Sequence, residues 1–170
     1  MPRRYTYVGP ESIRQGVKRE AHCIRIAAPS DIIPWTADFL SPRKTSGTVV
    51  ATFVIDPDEQ LWIADRRSEH VACADGKDVL AAGEIMFDRA GNRIEVIEIT
   101  NQSTGYCPEL ECWMAVEAVL NRIGIHHPGC FTTVFEFRRC SKCGTTTIVK
   151  DEVFQCAVCD APLSRDWNYA

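Results

Sequence analysis

Four cysteines near the C-terminus constrain this chain more than any other feature: Cys140-Ser-Lys-Cys143-Gly144 and, twelve residues on, Cys156-Ala-Val-Cys159. Two Cys-x-x-Cys knuckles at this spacing can close a tetrahedron of thiolates around one ion, and zinc is the usual occupant. The expected unit is a zinc ribbon over residues 139–160 holding one structural Zn²⁺ per chain. With cysteine in all four positions, none is left open to activate water. Gly144 suits the turn after the first knuckle, and Thr145 to Val149 with Val153 to Phe154 are expected to form a hairpin around Lys150-Asp151-Glu152.

The remainder must supply a core for that module. At 170 residues, 45% hydrophobic and 25% charged, the chain has the length and composition of one well-buried unit with an appendage. No apolar run reaches the length of a membrane span, and Met-Pro-Arg-Arg-Tyr lacks the apolar stretch of a secretory signal, so no membrane and a cytoplasmic location are expected. Nine cysteines, an odd number with four at metal-ligand spacing, fit a reducing compartment better than a disulfide scaffold. A net charge of -4 excludes a broad basic footprint. Nucleic acid contact through Arg138, Arg139, Lys142 and Lys150 is possible but not favoured, because Asp151, Glu152, Asp160 and Asp166 lie among them.

The expected fold class is α+β: a mostly antiparallel sheet packed by one main helix, with the C-terminal four-cysteine zinc ribbon. Residues 1–45 read as an irregular region with two short helices. One opens at Pro10-Glu11-Ser12 and carries Arg14, Lys18 and Arg19 on a solvated face. The other is capped by Ser30-Asp31, has Pro34 in its first turn and packs Trp35 and Phe39 into the core; Pro42 then ends the region. Residues 46–138 form the core. Thr48 to Asp56 and Gln60 to Asp65 read as a hairpin across Pro57-Asp58-Glu59, followed by a polar connection from Arg66 to Asp78. Val79 to Asp88 is a third strand interrupted by Gly83, and Arg93 to Thr100 a fourth. In that fourth strand Ile94 and Val96 alternate but Ile97 and Ile99 take the opposite parity, which implies a bulge or burial on both faces and a place near the centre of the sheet. A helix from Pro108 to Ile123 buries Trp113, Val116, Leu120 and Ile123 and stops at Gly124. Phe131 to Arg138 is a last strand leading into the ribbon, and the tail over residues 161–170 returns Trp167 to the body.

Two polar loops flank the third and fourth strands. His70 and Glu84 are proton-transfer candidates, and Ser103, Thr104, Gly105 and Tyr106 a candidate ligand-binding rim, provided strand adjacency brings them together. His70, Cys73, Cys107 and Cys112 are four possible ligands that would meet only if the fold gathers them into a second metal site.

The run His70, then Gly76-Lys77-Asp78-Val79-Leu80-Ala81-Ala82-Gly83-Glu84, then Ser103-Thr104-Gly105-Tyr106-Cys107-Pro108 resembles a segment of plant IQ-motif calmodulin-binding proteins and of some bacterial polymorphic-toxin C-terminal domains. The similar segments have an Ala-Ala-Gly strand after a His-containing loop, and a Ser-Gly-His-Tyr-x-Pro loop before a helix. The likeness covers residues 48–125. The IQ motif itself is absent, and Thr104 and Gly105 stand where the pattern has Gly and His. The resemblance implies a fold and the position of a ligand site more than a reaction.

Two functional expectations follow. The first is a bacterial cytoplasmic accessory or binding protein whose rim around His70 and Ser103 to Pro108 meets an unknown protein or small-molecule ligand. The alternative is a toxin-like transferase or hydrolase in which His70 and Glu84 move protons and Tyr106 positions substrate.

Overall fold

The computed structural model describes residues 1–17, 23–40 and 44–169. Its longest strands, β2 (Ser46–Ile55) and β4 (Ala81–Ala90), pair antiparallel along their full length. Successive residues Ala51 to Ile55 are all buried, so both faces of β2 are covered. Around this pair the sheet runs β1-β3-β2-β4-β5, with every pairing antiparallel.

The β2 to β3 hairpin forms as expected, with β3 at Leu61–Asp65. Asp56 shapes its turn by accepting from the Asp58 and Gln60 N–H groups, while its other oxygen accepts from Trp62 Nε1 at 2.8 Å. A strand in the N-terminal region was not legible: β1 (Ile24–Ile26) pairs with β3. Three residues are too few for an alternation pattern to register.

The N-terminal helices α1 (Glu11–Gly16) and α2 (Ile32–Ala37) lie where expected, with Pro34 in the first turn of α2. Asp31, however, reaches backward to accept from the Ala27 and Ala28 N–H groups, and these bonds hold its carboxyl below the usual range. Trp35 is buried, but Phe39 is exposed, with its ring against that of Trp35. Lys18, Arg19 and Pro42 lie outside the described residues.

The polar connection after β3 is less open than its composition implies. It contains the short helix α3 (His70–Cys73), with Val71, Ala72 and Cys73 buried. Thr52 on β2 ties the approach to α3 by donating to the Arg66 and Ser68 carbonyls.

β5 (Arg93–Ile99) carries the expected bulge: Met86 pairs with Glu98 and Phe87 with Val96, so Ile97 has no partner across the ladder. The strand is nevertheless at the edge of the sheet, and Ile97 is exposed. The bulge alone accounts for the change of parity. Residues 126–133 cover this edge, with Val96 N–H donating to His126 O and Thr132 N–H to Ile99 O.

The main helix begins later than Pro108. A 3₁₀ turn at Leu110–Cys112 precedes α4 (Trp113–Ile123), and Pro108 belongs to a buried loop. Val116, Val119 and Leu120 face the core, while Trp113 and Ile123 are half-buried at its margin. Gly124, at φ 80°, ends the helix in the left-handed conformation, donating to Leu120 O and Asn121 O. The last strand of the body is shorter than its alternation suggests: β6 spans Glu136–Arg139 and pairs with β7 (Thr146–Val149) rather than with the main sheet. No helix of the described residues is long and apolar enough to cross a membrane.

Candidate metal centre and the polar rim

β6 delivers Cys140 and β7 leaves toward Cys156, so the first knuckle is the turn of the β6 to β7 hairpin. The two knuckles repeat one another. Cys140 N–H donates to Thr145 O and Gly144 N–H to Cys140 O; Cys156 N–H donates to Ala161 O and Asp160 N–H to Cys156 O. Gly144 (φ 75°) and Asp160 (φ 57°) are the matching left-handed residues, and Asp is among the few side chains that tolerate that region. Between the knuckles only a single bridge, Lys150 to Val153, closes the turn through Asp151 and Glu152. The expected strand over Val153 to Phe154 does not form; the chain instead pairs Gln155 with Pro162.

The four Sγ atoms of Cys140, Cys143, Cys156 and Cys159 all lie within 4.8 Å of one another. Two pairs, Cys140 with Cys159 and Cys143 with Cys156, stand at 3.6 Å. A tetrahedron with metal–sulfur bonds of about 2.3 Å has edges of about 3.8 Å, so the spacing suits one four-coordinate ion. Val158 N–H donates to Cys156 Sγ at 3.4 Å, and donation from the Val158 and Cys159 backbone pushes the Cys156 pKa down to about 6. Thr145 lowers that of Cys143, first through its side chain and then through its backbone. At Cys159 the Ala161 N–H pulls downward, but burial and the three neighbouring sulfurs prevail and push it up to about 12. Sulfurs crowded in this way call for a cation between them.

The ribbon is fastened to the body by contacts that the sequence alone did not reveal. Arg138, read as a possible phosphate contact, is only 5% exposed. It donates to the carbonyls of Phe137, Ser164 and Arg165 and to Glu136. Little of its guanidinium is left for a phosphate. Arg139 and Asn168 exchange two hydrogen bonds of 2.8 Å, and Trp167 Nε1 donates to Cys107 O while its ring meets Tyr5 edge-on. The tail thus packs back as expected.

The rim residues are placed one by one. His70 Nε2 lies 2.9 Å from Gly83 O, a geometry in which the ring nitrogen donates. Burial pushes its pKa down from 6.5 to about 4, partly opposed by the Gly83 bond, so the ring is neutral near pH 7. Tyr106 is fully buried and donates to Lys77 O at 2.6 Å; its pKa is raised, mainly by burial. Glu84 lines a different surface, a groove of about 190 Å³ with Val50, Arg66, Met86, Glu98 and Thr100. No hydrogen bond joins His70, Glu84 and Tyr106 to one another.

Ser103 is buried with its hydroxyl unpartnered, Thr104 is exposed, and Gly105 lies beneath the ring of Tyr7. A Cβ on Gly105 would stand 2.8 Å from that ring, so the space a side chain at 105 would take is filled here by Tyr7. Val8 N–H donates to Gly105 O, Tyr5 exchanges backbone bonds with Val79, and the Tyr7 ring packs edge-on against Tyr106. The segment Tyr5 to Val8 is therefore a strap over the loop. Nothing in its composition announced this, because the strap is held by backbone bonds and by one ring over one glycine.

Asn101 was also missed. It donates to Pro108 O and Phe135 O and accepts from Phe135 N–H, closing the loop from residue 101 to 108 and fixing the start of β6. Cys107 is buried, donates to Thr104 O, and has its pKa pushed up to about 11 by burial, so it is no activated thiolate. His70, Cys73, Cys107 and Cys112 do not come together; the Cys140 group is the only gathering of three or more such ligands among the described residues.

The neutral, half-buried His70 carries a pH dependence. A ring whose folded pKa lies below its unfolded value contributes stability that is fully present above about pH 6.5 and is lost as pH falls toward 4. The shift corresponds to roughly 3 kcal/mol at most. Urea midpoints measured at pH 7, 5.5 and 4.5 should fall more steeply for the native chain than for His70→Gln. Parallel curves for the two proteins would refute this assignment.

Comparison with protein-family models, with curated proteins and with solved structures gave no match.

Proposed function

We propose that this chain is a zinc-dependent binding protein of a reducing, cytoplasmic compartment, in which the four-cysteine ribbon is a structural clamp. The observation that carries this reading is the closed set of four sulfurs, all within 4.8 Å, with no carboxylate, imidazole or vacant position among the ligands. When bound, zinc supplies cross-linking rather than water activation. The residues around it work toward the same end: Arg138 and Asn168 draw the ribbon and the tail together, and Trp167 passes the constraint to Tyr5 and Cys107.

On the body, the strap and loop form one surface, so a protein or small-molecule partner would meet it through exposed Thr104 and half-buried Tyr7 rather than through Tyr106. Catalysis by His70 and Tyr106 would first require breaking the bonds that each makes to a backbone carbonyl. Metal analysis of the purified chain should give one zinc per molecule, and Co²⁺ exchanged into it should show the absorption of a tetrahedral thiolate site. A protein free of bound metal at full stability, or an octahedral cobalt spectrum, would overturn the reading.

A further inference from the structure

The four sulfurs of the ribbon are alike in ligand chemistry but not in access. Cys140 and Cys156 are each only 1% exposed, Cys159 is half-buried, and Cys143 is exposed. Cys143 stands at the tip of the β6 to β7 hairpin, where Ser141, Lys142 and Gly144 are exposed as well. A Cβ built on Gly144 would meet nothing within 4 Å, so the tip has room to shift.

Beside this open sulfur lies a sheltered one. Cys156 Sγ is 3.6 Å from Cys143 Sγ and belongs to the other knuckle. Val158 N–H and Thr147 Oγ1 both donate to Cys156 Sγ and hold it in place. A bond between the two sulfurs would require them to close to about 2.0 Å, and the uncrowded turn carrying Cys143 can supply that approach. An exposed thiolate with a second sulfur this near is arranged for reversible two-electron oxidation, because the first product is captured before it is oxidised further. Cys130 is exposed too, but no thiol lies within hydrogen-bonding reach of it among the described residues.

We propose that the ribbon is a site of reversible oxidation by hydrogen peroxide, at which Cys143 reacts first and Cys156 closes a disulfide that replaces the metal cross-link. The Cys143 thiolate attacks one peroxide oxygen; an S–O bond forms, the O–O bond breaks, and the departing hydroxide takes a proton and leaves as water. The Cys156 thiolate then attacks the Cys143 sulfur; the S–S bond forms and the S–O bond breaks, releasing a second hydroxide that is protonated to water. Two thiolates, one peroxide and two protons thus give one disulfide and two waters, with two electrons passing from sulfur to peroxide. Only Cys140 and Cys159 then remain as thiolates, half of what a structural zinc site requires, so the ion is released. Cys140 and Cys156 are also half of the ribbon's small buried cluster, and the change of cross-link therefore reaches its packing. Resting on the reading of the ribbon as a zinc clamp, this chemistry adds the condition under which the clamp gives up its metal.

The test treats the full, zinc-loaded chain with hydrogen peroxide, follows released zinc with a metallochromic indicator and maps the cysteines by mass spectrometry. Zinc release should accompany formation of a Cys143–Cys156 disulfide, and a dithiol reductant with added zinc should restore the metal. Dimedone, a trap for sulfenic acids, should label Cys143 before any other ligand. Cys143→His keeps a set of three cysteines and one histidine, so it should hold zinc yet release it to peroxide roughly tenfold more slowly. Cys159→His, the same change at a half-buried ligand, should release zinc within about twofold of the native rate. If either variant fails to bind zinc, trapping and mapping on the native chain decide the matter. Zinc retained while peroxide is consumed, disulfides confined within each knuckle, or first labelling at a ligand other than Cys143 would overturn the proposal. A chain free of zinc before peroxide is added would instead overturn the metal reading, and this proposal with it.

Discussion

Cys156→Ser is expected to abolish stoichiometric zinc binding and to release the C-terminal module, with a loss of roughly 4 kcal/mol or more. The ribbon has almost no core without its metal: Cys140, Val149, Cys156 and Leu163 are its buried cluster, and two of those four are ligands. Structural zinc in small modules contributes on the order of 10 kcal/mol, more than such a cluster can replace. The main body keeps its own core, running from Tyr5 to Phe131, so partial rather than complete unfolding is expected. Limited proteolysis should cut after residue 139 and spare the sheet. A strong chelator should reproduce the pattern in the unaltered chain. Trp167 fluorescence should change in both cases, because that ring is held by Cys107 O, Tyr5 and Arg3. A Cys156→Ser chain with native zinc content and native protease resistance would refute the clamp.

Gly83→Ala should be the most damaging single methyl group in the body. A Cβ there would lie 1.9 Å from Thr100 O and 3.0 Å from the Phe53 ring. The first contact is with backbone, which cannot rotate away. Thr100 N–H is itself bonded to Glu84 O, and Gly83 O is the acceptor for His70, so any shift breaks ties on two sides. The expected cost is roughly 3 kcal/mol or more, read as a lowered urea midpoint. Gly16→Ala, at the end of α1 with nothing within 4 Å of the added methyl, serves as the control and should be neutral or slightly stabilising. Equal effects at the two glycines would show that backbone entropy rather than close approach governs Gly83.

Gly83 also shows how a residue can be legible while its reason is not. As a glycine inside a strand it signals a bulge or a close approach, but only the path of Thr100 across it says which. The parity change in β5 was read as a bulge correctly and as a central strand wrongly. A bulge moves side chains between faces at any position in a sheet, whereas strand order depends on which other segments pair. The connection after β3 read as polar, yet Val71 to Ala74 is an apolar run short enough to be masked by its neighbours and long enough for one buried turn.

At the candidate sites the division is sharper. The four-cysteine cluster was readable because coordination chemistry demands particular residues at short, fixed separations, and Cys140, Cys143, Cys156 and Cys159 satisfy that demand locally. The hairpin of β2 and β3 and the stop at Gly124 were readable for the same reason: turn and cap geometry is set within a few residues. Whether His70, Glu84 and Tyr106 share a pocket depends on long-range packing. So does the strap of Tyr5 to Val8 over Gly105, and so does the burial of Arg138 among carbonyls 26 and 27 residues away. Local sequence by itself determined the four-cysteine cluster, the turns and the α+β class, because each is encoded in short-range spacing. Only the tertiary structure decided what is covered and what is open, because hydrogen bonds and apolar contacts between distant segments leave no periodic trace in the chain.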